Sequence, residues 1–207
     1  MIPAIDYNLK YKNYVGIDWG EVGRGNLAGE MFFCGVKLKE SGNIDFVDDS
    51  KKTTLVQRES MFDKILENVE YHVVVKTAKE IDEKGLPQCI KECLDEIIQH
   101  FPNEKYVYDG DKKFNCTEPN LETLVKGDAK VKLIGAASII AKVFKDRKML
   151  EHSIRFPEYG FETNSGYGTP EHIQAIIEYG YTEIHRKSFK IKALEEQRSR
   201  GLTNVLF

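Results

Sequence analysis

Apolar positions along this chain come in short runs cut by charged residues and turn formers. Val15-Gly16-Ile17 closes on Asp18, which predicts a buried strand over 14–18 ending in a carboxylate. Met31 to Leu38 is aromatic and β-rich and predicts a second strand. Glu59 to Asn68 carries Met61, Ile65 and Leu66 at helical spacing, and His72 to Lys76 predicts a third strand. From Leu86 to Phe101, Cys89, Ile90, Cys93, Leu94, Ile97 and Ile98 recur at intervals of three and four, an amphipathic helix stopped by Pro102-Asn103. Lys105 to Asp109 predicts a strand that again ends in a carboxylate, and Thr123 to Lys126 a shorter one. Ala136 to Leu150 reads as a helix whose small residues, Ala136, Ala137 and Ala141, allow close packing. Pro170 to Tyr179 is a further helix, with Thr169 as its N-cap and Pro170 at the first helical position.

Strands come first and then alternate with helices, so the class is α/β or α+β, with a helical C-terminal third. At 207 residues, with no repeat or linker, residues 1–207 read as one domain. Hydrophobic residues at 41% and charged residues at 30% exclude a disordered or fibrous chain. No apolar run approaches the ~20 residues of a membrane helix. The start lacks a secretory pattern, and four cysteines are too few for a disulfide scaffold, so a reducing cytoplasm is the expected location. Lys plus Arg is 30 against 33 for Asp plus Glu, a net charge of -3. That rules out a strongly basic lobe but leaves room for a local basic groove. The densest basic run is His185 to Lys192, which on charge alone is a solvated face.

The acids change the picture. Asp18 ends one strand and Glu21 follows it; Asp109 ends another; Asp128 follows Gly127 after a third; Asp146 lies on the next helix. Carboxylates at strand ends can converge on one sheet edge, where they repel unless a cation neutralises them. Hard oxygen ligands suit Mg²⁺ or Mn²⁺ rather than Zn²⁺. Such a set can hold two ions, one activating water and one neutralising a leaving oxygen, the services that phosphodiester hydrolysis needs. The bland alternative, that each acid only caps a turn, stays open on spacing alone, because 33 acids place some at strand ends by chance. Cys89 and Cys93 share an apolar helix face and read as core. Gly23-Arg24-Gly25-Asn26-Leu27-Ala28 fits a dinucleotide fingerprint, but that motif must open a helix, and a strand is expected from Met31. A nicotinamide-binding oxidoreductase therefore ranks last.

Six stretches, in order from about residue 14 to 190, resemble the ribonuclease HII (type 2 ribonuclease H) family. They are Val15 to Asp18 with Glu21 to Gly29; Asp49-Ser50-Lys51-Lys52; Tyr106 to Gly110; Lys126-Gly127-Asp128 with Ala136 to Val143; Tyr159-Gly160-Phe161 with Gly166 to Thr169; and Ile184 to Phe189. The resemblance implies a ribonuclease H-like α/β fold, a mixed five-stranded sheet flanked by helices. It adds a C-terminal helical lobe over about 150–207 that contacts substrate. It implies hydrolysis of the RNA strand of RNA–DNA hybrids and incision 5′ of single ribonucleotides in duplex DNA, leaving 3′-hydroxyl and 5′-phosphate ends, by a monomer.

By resemblance, Asp18, Glu21, Asp109 and Asp128 hold Mg²⁺ or Mn²⁺ and are catalytic, with Asp146 supporting them from behind. Gly23, Arg24 and Gly25 would contact the 2′-hydroxyl, which marks RNA. Tyr167 would stack on the next sugar. Ser50, Lys51, Lys52, Ser138 and Arg186 would complete the substrate contacts; phosphate contacts carry no sequence information. The chain departs from the family at Trp19-Gly20, which separates Asp18 from Glu21 where the family has them adjacent, and at Asn26 and Ser165. The insertion raises the alternative of a hybrid-binding homologue with an impaired metal site.

Overall fold

The computed structural model describes residues 5–19, 25–47, 53–192 and 194–195. The sheet is built from β1 (Val15–Asp18), β2 (Met31–Leu38), β3 (Val69–Lys76), β4 (Tyr106–Asp109) and β5 (Leu121–Leu124), in the order β3-β2-β1-β4-β5. β1 runs antiparallel to β2 and parallel to β4, and β4 runs parallel to β5. The sheet is therefore mixed, as expected. Ile17 pairs with Tyr108, and Asp109 with Leu124, so the carboxylates ending β1 and β4 leave the sheet side by side on one edge.

Helices cover both faces: α1 (Tyr7–Tyr11), α2 (Leu55–Asn68), α3 (Ala78–Lys84), α4 (Leu86–His100), α5 (Lys132–Arg155), α6 (Phe161–Asn164) and α7 (Pro170–Tyr179). Strand alternation sorts β1 between two cores. Val15 and Ile17 join Met31, Phe33, Tyr106 and Tyr108 against the apolar stripe of α4. Gly16 faces α5, where a Cβ would come within 2.7 Å of the Leu133 backbone. Glycine there lets the helix lie directly on the central strand. Cys89 and Cys93 are core, as expected, and all four cysteines are free and buried. A third apolar cluster unites Leu27 and Ala28 with Met149, Tyr159, Phe161, Ala175, Ile176 and Ile184. It ties the segment after β1 to the helical C-terminal part.

Several element ends differ from expectation. α2 starts earlier, at Leu55, because Thr54 and Gln57 form a capping box. α5 starts at Lys132 and runs to Arg155. β5 ends at Leu124 rather than Lys126, because Lys126 turns to φ 56°, off the extended path. α1, α3 and α6 are additional. Thr169 does cap α7, accepting from the His172 N–H at 3.3 Å.

Candidate active site

Asp18, Asp109 and Asp128 are all buried, and each offers a carboxylate oxygen within 4.8 Å of the others. The fold brings them together simply. Two end neighbouring parallel strands, and the third follows the turn after β5. Asp109 Oδ1 accepts the Gly127 N–H at 2.7 Å, which pulls that turn onto β4. Asp128 Oδ1 accepts the Ala129 N–H at 3.0 Å, and Asp18 Oδ1 accepts the Trp19 N–H at 2.7 Å.

Burial, then the charges of Asp109 and Asp128, push the Asp18 carboxyl up to about 7, against the opposing hydrogen bonds from Ser138 and the Trp19 N–H. Two ionised carboxylates at this spacing repel by roughly 3 kcal/mol at an effective dielectric of about 20. A hydrogen bond to a charged group returns only about 1.5–3 kcal/mol. The hydrogen bonds present do not neutralise three buried negative groups. A divalent cation does, and three hard oxygen donors fit Mg²⁺ or Mn²⁺. A cleft of about 540 Å³ opens beside them, lined by Trp19, Tyr108, Asp109, Gly110, Phe114 and Lys126 among others.

Trp19, the first residue of the two-residue insertion, extends the β1 alternation. It packs on Phe33 at 5.5 Å between ring centroids and is buried with Ile17 in the α4-side core. Burying an indole contributes on the order of 4–6 kcal/mol. Lengthening a loop by two residues costs well under 1 kcal/mol. Asp18 therefore keeps its place with Asp109 and Asp128 despite the insertion. Glu21, Gly23, Arg24, Ser50, Lys51 and Lys52 lie outside the described residues.

The segment that follows Gly25 meets Tyr167. Asn26 bridges Tyr167 in antiparallel fashion, and its Nδ2 donates to the Ser165 carbonyl at 2.8 Å. Gly166 adopts φ 81°, and a Cβ there would collide with the Ala28 carbonyl, so only glycine permits this contact. Among the described residues, no atom lies within 4 Å of where a Gly25 Cβ would point. Tyr167 is 41% exposed, and Lys145 Nζ lies 4.5 Å from its ring centroid. Lys145 is itself buried, and burial pulls its amine down to about 8. Sequence reasoning missed it. The available signal was its place seven residues after Ser138, two turns along the same face of α5.

Three expected contacts are corrected. Ser138 is fully buried and bonds to Asp18, so it supports the acid cluster instead of touching substrate. Arg186 is 1% exposed and gives both Nε and Nη2 to the Gly29 carbonyl, at 3.1 and 2.9 Å. It braces the segment after Gly25 rather than reaching a phosphate. Asp146 pairs with Arg58 at 2.8 Å, and lies about 12 Å along α5 from Ser138, away from the acid cluster.

Residues 15–192 match the model of the family described as Ribonuclease HII. The chain is 45% identical over 185 residues to ribonuclease HII of Sulfurovum sp. (strain NBC37-1), covering 89% of this chain and 95% of that one. It is 44% identical over 198 residues to ribonuclease HII of Aliarcobacter butzleri (strain RM4018), covering 95% of this chain and 100% of that one. Among solved structures, ribonuclease H2 from Pyrococcus horikoshii OT3 superposes with a TM-score of 0.72 at 28% identity, covering 90% of this chain and 98% of that one. The chain belongs to the ribonuclease HII family and is a metal-dependent ribonuclease.

Proposed function

We propose that this enzyme hydrolyses the RNA strand of RNA–DNA hybrids and also nicks duplex DNA on the 5′ side of a single embedded ribonucleotide. The products carry 3′-hydroxyl and 5′-phosphate ends. The observation that carries this reading is the buried trio Asp18, Asp109 and Asp128 at one sheet edge, beside an open cleft. With Glu21 they would hold two Mg²⁺ or Mn²⁺ ions. Bound there, the ions would supply a nucleophilic water at neutral pH and charge neutralisation at the leaving oxygen.

The chain's own residues supply selection and placement. The backbone at Gly25, with Gly23 and Arg24, suits a close approach to a 2′-hydroxyl. Tyr167, bridged to Asn26, presents its ring where the following sugar would stack. Lys145 places a positive charge beside that ring. Ser50, Lys51 and Lys52 would add phosphate contacts. The part from about residue 150 onward, joined to the segment after β1 by the third apolar cluster, acts as the substrate-contacting lobe of a single domain. The enzyme works as a monomer in the cytoplasm, consistent with four reduced, buried cysteines. Among the described residues no helix is long and apolar enough to cross a membrane.

The test is incision of an end-labelled DNA duplex carrying one ribonucleotide, by pure protein, with Mg²⁺ or Mn²⁺ and with chelator as control. A metal-dependent cut 5′ of the ribonucleotide is expected. No cut with any divalent ion, alongside retained hybrid binding, would overturn the reading in favour of the binding-only homologue. The place of Asp18 in the acid cluster argues against that alternative.

A further inference from the structure

Behind Tyr167 lie two histidines that the acid cluster does not use. His172 on α7 and His185 in the segment after it are both essentially inaccessible. Their Nε2 atoms lie 3.0 Å apart. At one end of the pair, His172 Nδ1 lies 2.8 Å from the Tyr167 carbonyl oxygen. At the other end, the Thr182 backbone N–H donates to His185 Nδ1 at 2.9 Å, and Thr182 Oγ1 lies 2.8 Å from the same nitrogen.

The two ends allow one protonation pattern. A backbone N–H only donates, so His185 Nδ1 carries a lone pair and its proton sits on Nε2. A carbonyl only accepts, so His172 carries its proton on Nδ1, leaving Nε2 free to receive the proton from His185. All three links then point the same way, from Thr182 to the Tyr167 carbonyl. An added proton would set N–H against N–H, either between the rings or at Thr182.

The surroundings favour the neutral form. Tyr159, Phe161 and Tyr181 rings enclose the pair, Lys187 is the cation that acts on it, and no carboxylate faces it among the described residues. Burial lowers His172, and burial with the His172 and Lys187 charges pulls His185 down to about 3.

We propose that His172 and His185 are positioning residues: a neutral, one-directional hydrogen-bonded pair that fixes the Tyr167 main chain and thereby aims the Tyr167 ring at the substrate sugar. Tyr167 and His185 also bridge Asn26 and Ala28 respectively, so the pair holds Tyr167 against the segment that follows Gly25. The use of the pair rests on the reading of Tyr167 given above.

Two measurements test this. In ¹H–¹⁵N correlation spectra of the imidazole rings of the whole protein, His185 should show the Nε2–H tautomer and stay neutral down to pH 5, and His172 should show the Nδ1–H tautomer and titrate below its ordinary value. Like tautomers, or protonation of either ring near the ordinary value of about 6.5, would overturn the pair. In kinetics on duplex DNA with one ribonucleotide, His172→Phe keeps the ring packing and removes the donor. It should lower kcat by ~10- to 100-fold, with KM changed less than about threefold. In a Tyr167→Ala background the same substitution should add nothing. An equal further loss in that background would show that His172 acts elsewhere and sink the proposal. If Tyr167→Ala alone leaves kcat unchanged, the Tyr167 reading fails and takes this use of the pair with it, while the ring spectra still decide whether the pair exists. The spectra use wild-type protein and do not depend on a variant folding.

Discussion

Asp109 sits between two neighbouring acids and accepts the Gly127 N–H, so its charge rather than its shape is the sensitive property. Asp109→Asn should keep the turn and lose a metal ligand. Residues that merely support a ligand cost 10–100-fold when changed. Loss of the ligand itself should therefore lower cleavage by more than ~100-fold, while hybrid affinity by anisotropy stays the same. Unchanged turnover would refute the assignment. Asp18 gives a pH prediction. Its folded carboxyl titrates near 7, above the unfolded value of about 3.9. Between those values the folded state binds the extra proton, so stability of the metal-free protein falls as pH rises from about 4 to about 7. Thermal melts over that range should fall, and Mg²⁺ or Mn²⁺ added at the upper end should reverse the fall. At this scale the sequence revealed the acids because a carboxylate ending an apolar run is visible. It misassigned Ser138 and Arg186, since a hydroxyl or guanidinium that braces a neighbour has the same one-letter code as one that touches a ligand; burial separates them.

At the scale of elements, the contact of α5 with β1 sets the site, because Ser138 must reach Asp18 across it. Gly16→Ala would drive a methyl into the Leu133 backbone. Overpacking of this kind costs about 1–3 kcal/mol, a fall of roughly 2–12 °C in Tm for a chain of this size. Cleavage should fall with it, as the helix is pushed off the strand; an unchanged Tm would show that α5 yields freely. The elements read best were those with one dominant signal: the α4 stripe, the α7 cap, and the runs of β1, β2 and β4. α3 was missed because its sequence is mostly polar, although Thr77 and Glu80 form a capping box that a closer reading finds. The start of α5 was hidden by Gly135, which weakens a helical pattern.

For the whole molecule, net charge is a poor guide to partners. A chain of -3 places Lys145 beside the Tyr167 ring, on the same helix as Ser138, which bonds to Asp18. Hybrid binding should weaken with salt. Lys145 is buried like Arg186 and sits against the Tyr167 ring, so Lys145→Ala should lower turnover and leave the slope of log affinity against log salt unchanged. A slope reduced by about 1 would show instead that Lys145 meets a phosphate. The dinucleotide fingerprint at Gly23 to Ala28 shows the complementary lesson. The pattern fits, but Met31–Leu38 is a strand paired between β1 and β3, so no helix N-terminus follows to receive a pyrophosphate. Topology, not spacing, rejects it. The family resemblance, by contrast, spanned the chain and carried the fold correctly.

The four thiols, one in β2, two in α4 and one before β5, report on the integrity of both faces of the sheet. Each is sequestered, and burial raises the pKa of each, so alkylating reagents reach them only when the surrounding layers come apart. The wild-type chain thus carries its own stopwatch for opening events. Following the pace of labelling with and without divalent ions, thiol by thiol, would reveal which layer the bound cations clamp shut.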